Sequence, residues 1–133
     1  MHVFPLTRQG GRLTLLRNSD HLLRRFGQLD VLDLAAGQRS ALPVRGEADR
    51  FLYSISGAVN ALLLDVRPTS PSHGAQVALA LNSDDPKGLL VPFGVACSLE
   101  AISRVMVIQL STHSESHPSD RALNAEEQNL IIG

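Results

Sequence analysis

Phe51-Leu-Tyr-Ser-Ile-Ser-Gly57-Ala-Val-Asn-Ala-Leu-Leu-Leu-Asp65-Val-Arg67 is the stretch whose reading decides the fold. Phe51, Tyr53 and Ile55 alternate with Leu52, Ser54 and Ser56, a period-two pattern that predicts a strand. Gly57 turns the chain, and Val59 to Val66 is almost wholly apolar, as expected of a central strand. The loop Arg67-Pro-Thr-Ser-Pro-Ser-His-Gly74 follows, then a strand over Gln76 to Leu81, a turn over Asn82 to Gly88, and a strand over Leu89 to Val91. The stretch closes on Pro92-Phe-Gly94-Val-Ala-Cys97. Short strands at regular spacing predict an all-β sandwich or barrel. Val59 to Val66 is expected to pair antiparallel with Phe51 to Ser56. Leu89 to Val91 is expected to face Val105 to Leu110 within one barrel.

Upstream, His2 to Leu6 reads as an edge strand because Pro5 lacks an N–H to donate. Arg12 to Leu16 reads as a second strand. Asn18, Ser19 and Asp20 are helix N-cap types before His21 to Phe26, which predicts a short N-terminal helix ended by Gly27. Leu29 to Asp33 alternates as a half-buried strand, and Arg39 to Val44 is a short strand interrupted by Pro43. Downstream of Val105 to Leu110 the composition turns polar from about residue 111, with a short helix expected over Ala122 to Leu130.

The 133 residues fit one domain, 1–133, large enough to bury a core. A net charge of -1 and an aromatic share of 4% with no Trp argue against nucleic acid as a partner. No apolar run reaches the roughly 20 residues of a bilayer span, so no membrane partner is expected. The lone Cys97 excludes an internal disulfide and fits a reducing, cytoplasmic setting.

Two stretches carry a family likeness. They are Gly57 to Gly74, with Asp65-x-Arg67-x-x-Ser70-Pro71-x-x-Gly74, and Gly88 to Cys97, with Pro92-x-Gly94-x-x-Cys97. Together they resemble the dTDP-4-dehydrorhamnose 3,5-epimerases and the related dTDP-sugar ketoisomerases, which are cupin-type β-barrels. The resemblance implies an all-β cupin (jelly-roll) barrel, a homodimer, and a dTDP-keto-sugar ligand used in deoxysugar or cell-surface polysaccharide biosynthesis. It implies no cofactor.

The chain departs from the family pattern at the reactive positions. The strand that should hold the histidine base offers Ser40, Leu42 or Val44. Gln109 stands where the tyrosine acid is expected, and Cys97 where Pro-x-Gly-x-x-His ends in histidine. Proton abstraction beside a ketone needs a base that titrates near the working pH and an acid on the opposite face. Gln109 can hydrogen-bond a sugar oxygen but cannot exchange a proton in that way. Cys97 is the catalytic candidate if its pKa is lowered; the commoner state of a lone cysteine is a small buried hydrophobe. Leu42, Val44 and Cys97 do not make a transition-metal site, so no metal is expected. The polar run His113-Ser-Glu115-Ser-His117 is the one local cluster of ligand types and reads as a solvated exit from the last strand. Arg50 falls where the family carries a cation, and Arg39 and Arg50 are the candidate phosphate-binding residues, since guanidinium suits a diphosphate. Asp65 and Arg67 read as structural. The functional expectation is a dTDP-keto-sugar-binding protein whose status as an epimerase or isomerase is open, or a catalytically silent cupin serving as a binding or partner subunit.

Overall fold

The computed structural model describes residues 2–6, 8–17, 25–114 and 121–131. Its strands are β1 (His2–Pro5), β2 (Arg8–Gln9), β3 (Arg12–Leu13), β4 (Gln28–Leu34), β5 (Arg39–Leu42), β6 (Arg50–Ser56), β7 (Ala58–Asp65), β8 (Gln76–Asn82), β9 (Lys87–Val91), β10 (Val95–Ala101) and β11 (Val105–Ser111). One helix, α1 (Ala125–Ile131), follows. Two antiparallel sheets form the expected all-β barrel: a five-stranded sheet ordered β1-β9-β6-β11-β4 and a four-stranded sheet ordered β5-β10-β7-β8. β2 and β3 make a separate hairpin over Gly10 and Gly11, both at positive φ as such a tight turn requires. The second expected strand is therefore shorter than Arg12 to Leu16. The expected N-terminal helix at 21–26 falls mainly outside the described residues.

Two pairings differ from expectation. β6 and β7 do not pair with each other; they lie in opposite sheets. Only Gly57 separates them, and a hairpin needs at least two loop residues. A single glycine at φ 81° instead bends the chain from one sheet into the other. The corner is tight, because a Cβ on Gly57 would lie 2.1 Å from the Arg104 carbonyl oxygen. β9 and β11 likewise do not face each other across the barrel. They flank β6 within one sheet, with Arg50 opposite Val91 on one side and Ser111 on the other.

Alternation then sorts the side chains. Leu52, Leu89, Val91, Val105 and Val107 of the larger sheet meet Ala61, Leu63, Leu81, Cys97 and Leu99 of the smaller one in the main core. Phe51 and Tyr53 lie on the opposite face of β6 from Leu52. Phe51 packs over Gly88, where a Cβ would come within 2.3 Å of its ring. A second cluster, Val44, Leu64, Ala96 and Leu123, seals the outer face of the smaller sheet beneath the C-terminal segment. That segment is anchored by a reciprocal backbone bridge between Val44 and Arg121, at 2.7 and 2.9 Å. Asn124 caps α1: its Oδ1 accepts from the Glu127 amide at 2.8 Å, and its own amide donates to Glu127 Oε1 at 3.0 Å. Arg121 clamps the same carboxylate with two bonds at 2.6 and 2.7 Å. No helix among the described residues is long and apolar enough to cross a membrane.

Candidate functional site

Period-two alternation aims Arg50 of β6, together with Gln109 and Ser111 of β11, into one end of the barrel. Cys97 of β10 approaches from the smaller sheet, between Leu42 of β5 and Leu63 of β7. Arg50 is 2%, Gln109 5% and Cys97 0% exposed, so this group lies beneath the surface. Arg50 Nη2 donates to the Pro43 carbonyl, which fastens the guanidinium to the end of β5. Gln109 Oε1 and Ser111 Oγ are buried with no hydrogen-bond partner among the described residues.

Burial pushes the Cys97 thiol up to about 12, and the nearby positive charge of Arg50 only partly opposes it. A base recruited for proton abstraction needs the opposite shift. Cys97 thus behaves as the core hydrophobe of its alternative reading, packed among apolar neighbours. The guanidinium stays protonated, and an amide and a hydroxyl do not titrate near neutrality. The end of the barrel can therefore donate hydrogen bonds to oxygen and offer a fixed positive charge. It has no group among these four to take and return a proton.

Arg39 is not brought to this place. Leu42 points inward, so Ser40 does also and Arg39 points out, where it pairs with Glu100 at 3.5 Å in solvent. Val44 turns to the outer cluster under Leu123, leaving Ser40 and Leu42 as the inward positions on β5. Among the described residues no group of three or more His, Cys, Asp or Glu is placed to hold a metal ion. His113 is described, whereas Glu115 and His117 lie outside the described residues.

The Asp65 loop is a closed polar staple. Asp65 is fully buried and accepts from the Arg67 amide at 3.0 Å, from Arg67 Nε and Nη2 at 3.0 and 2.8 Å, from Ser70 Oγ at 3.1 Å, and from Ser72 Oγ. The Arg67 guanidinium holds this carboxyl well below the ordinary carboxylate range, against the opposing effect of burial. The stem of Arg67 lies over Gly94, where a Cβ would come within 2.3 Å of Cγ. Val66 also donates to the Gly94 carbonyl at 3.2 Å. The two stretches that carried the family likeness therefore touch each other.

The rim of this end is fastened as well. Arg45 Nη2 donates to the carbonyls of His113 and Ser114, each at 2.9 Å. Asp49 exchanges bonds with Thr112 at 3.0 Å and accepts from the Phe93 amide at 3.0 Å. Two shallow grooves meet at Phe93, which is 44% exposed. One, of about 530 Å³, runs past Arg67, Thr69 and Ser70 to Arg121. The other, of about 190 Å³, runs past Glu47 to His113. Phe93, Arg121 and His113 were not singled out from the sequence as ligand-facing. Phe93 carries a local signal, an aromatic held between two turn formers in Pro92-Phe-Gly94, and His113 stood in the polar run read as a solvated exit.

The chain superposes on a solved dTDP sugar isomerase from Desulfovibrio desulfuricans G20 with a TM-score of 0.85 at 17% identity, covering 99% of this chain and 88% of that one. A dTDP-4-dehydrorhamnose 3,5-epimerase from Sulfolobus tokodaii superposes with a TM-score of 0.79 at 24% identity, covering 94% and 74%. These are likenesses of fold. In sequence, the chain is 33% identical over 91 residues to the dTDP-4-dehydrorhamnose 3,5-epimerase of Escherichia coli strain K12, covering 66% of this chain. It spans about half, 49%, of that relative's length. The family model described as dTDP-4-dehydrorhamnose 3,5-epimerase matches residues 41–133, and this chain belongs to that family.

Proposed function

We propose that this chain binds a dTDP-keto-sugar without epimerising it, in deoxysugar or cell-surface polysaccharide biosynthesis. The observation that carries the reading is the composition of the barrel end. Arg50, Gln109 and Ser111 point inward and can hold phosphate or sugar oxygens, while Cys97 is driven away from the thiolate. Nucleotide-sugar substrates, a cytoplasmic location and a homodimer accord with the family. The test is thermal stability with added dTDP, dTDP-glucose and UDP-glucose. A ligand that binds only the folded state raises stability by RT ln(1 + [L]/Kd), about 2.7 kcal/mol at one hundred times Kd. A shift with the dTDP compounds, reduced in Arg50→Gln, is the expected outcome. No shift with any nucleotide would remove the ligand from the proposal.

The burial of Arg50, Gln109 and Cys97 favours a second reading, a silent barrel that serves as a binding or partner subunit. Co-purification and titration against an active member of the family separate the two. A subunit forms a complex of defined stoichiometry, whereas a free-standing binding protein does not.

A further inference from the structure

The larger of the two grooves that meet at Phe93 is separate from the barrel end. Its volume of about 530 Å³ falls within the span of small-molecule sites, roughly 300–1,000 Å³. Val44 and Val66 line it, and both belong to the apolar packing on the outer face of the smaller sheet. Arg50, Cys97, Gln109 and Ser111 are not among its lining residues. Phe93, 44% exposed, adds a flat apolar face.

The polar lining of this groove holds spare hydrogen-bond donors, and no acidic residue lines it among the described residues. Arg67 gives Nε and Nη2 to Asp65 at 3.0 and 2.8 Å, so Nη1 has no partner among the described residues. Arg121 gives Nη1 and Nη2 to Glu127 at 2.6 and 2.7 Å, and its Nε is the unpartnered nitrogen. The two carboxylates are buried, whereas the arginine side chains are 32% and 45% exposed. The Ser70 amide donates to the Arg67 carbonyl at 3.2 Å, which makes a turn with Pro68 and Thr69 at its tip. Thr69 is exposed, and neither its amide nor its hydroxyl has a partner among the described residues.

We propose that this groove binds a small aromatic oxyanion, its ring against Phe93 and its phosphate or carboxylate held by Arg67, Thr69 and Arg121. The chemistry of the lining selects that class. An oxyanion accepts several hydrogen bonds at once, and guanidinium edges suit its geometry. A ring matches the apolar wall that Val44, Val66 and Phe93 supply. Both guanidinium groups are fixed by their own carboxylates before a ligand arrives, which lowers the entropy lost on binding. Those carboxylates also offset the arginine charges, so affinity depends on the spare donors together with the ring, and neither half of the ligand suffices. The groove and the barrel end are independent sites, and either can fail without the other.

Amide NMR titration of the full chain with phenyl phosphate tests it. The amides of Thr69, Ser70, Gly94 and Arg121 are expected to shift together along one saturating curve. Inorganic phosphate and benzyl alcohol, the two halves of the probe, should each bind about tenfold more weakly or worse. Phe93→Ala removes an exposed ring and Thr69→Glu sets an acid at an exposed turn, so the spectrum of each free variant should keep the wild-type fold. Each variant should weaken phenyl phosphate about tenfold. No shift with phenyl phosphate overturns the site. Inorganic phosphate binding as tightly as phenyl phosphate means an adventitious ion only, and also overturns it. Shifts centred on Gln109 and Ser111 would put the probe in the barrel end instead. Undiminished binding in both folded variants would contradict the assignment of Phe93 and Thr69.

Discussion

The Asp65 loop and the inner end of the barrel use their polar groups in opposite ways. In the loop, the charged and hydroxyl groups of the family motif are present and bound to one another. In the barrel, the positions expected to hold histidine and tyrosine carry Ser40, Leu42, Cys97 and Gln109. The loop motif holds the Pro92-Phe-Gly94 turn against the end of β7. Inside the barrel, Cys97 packs as part of the main core and Arg50 is tied to the Pro43 carbonyl, so these groups serve the packing of the barrel. A family motif in this chain is thus a record of structure, and chemistry has to be argued residue by residue.

This contrast can be broken most sharply from the loop. Asp65→Ala removes the acceptor from a guanidinium and two hydroxyls around a fully buried position. The expected loss is about 3 kcal/mol, read by urea unfolding. A loss under about 1 kcal/mol would show that the loop is decoration and that its retention has another cause. The corner between the sheets gives an internal comparison of similar size. Gly57→Ala meets both a positive φ and the Arg104 carbonyl and should cost about 3 kcal/mol. Gly37→Ala, at the same φ of 81° but with open space around it, should cost about 1 kcal/mol. Equal costs would mean that β6 and β7 are not bent as described.

The pH dependence follows from the same loop. Asp65 and Glu127 both have carboxyl pKa values lowered by arginine partners, Arg67 and Arg121. A depressed folded-state value contributes stability that is fully present above the unfolded value of about 4 and is lost as pH falls below it. Unfolding free energy should therefore be flat from pH 7 to about 5 and decline below about 4. Asp65→Asn should flatten that decline, and an unchanged slope would contradict the assigned ion pair. The smallest effect is expected inside the barrel. Cys97→Ser should cost about 1–2 kcal/mol, the price of a hydroxyl in an apolar site, and leave nucleotide binding unchanged. The native Cys97 thiol should resist alkylation at pH 8 until the chain is unfolded, and rapid labelling of the folded protein would restore it as a candidate base.

Much of the strand content could be read from alternation and turn residues, and so could the structural role of Asp65 and Arg67. Sheet membership could not be assigned from alternation alone, because β6 and β7 look like a hairpin until the one-residue length of the Gly57 connection is weighed. Arg39 is a phosphate candidate with Arg50 on the chemistry of its guanidinium alone. Alternation from Leu42 would have turned it outward. The C-terminal clamp depends on Arg121 reaching Val44 and Glu127, a contact made by tertiary folding that no local pattern announces. The short helix expected over Ala122 to Leu130 begins later, at Ala125 behind the Asn124 cap. The exposure of Phe93 and His113 depends on how the rim closes, which sequence spacing does not specify.

The central claim is that this barrel retains a place for a dTDP-keto-sugar and lacks the acid and base to epimerise it. Solvent deuterium incorporation at C3 and C5 of dTDP-4-keto-6-deoxyglucose measures that directly. General acid and base groups each supply roughly 10²–10⁴-fold, so loss of both should remove on the order of 10⁴-fold or more. The account predicts no exchange above the uncatalysed background in the presence of the protein. Exchange at a rate comparable with an active epimerase would contradict it, and its abolition in Cys97→Ser would trace the activity to the buried thiol.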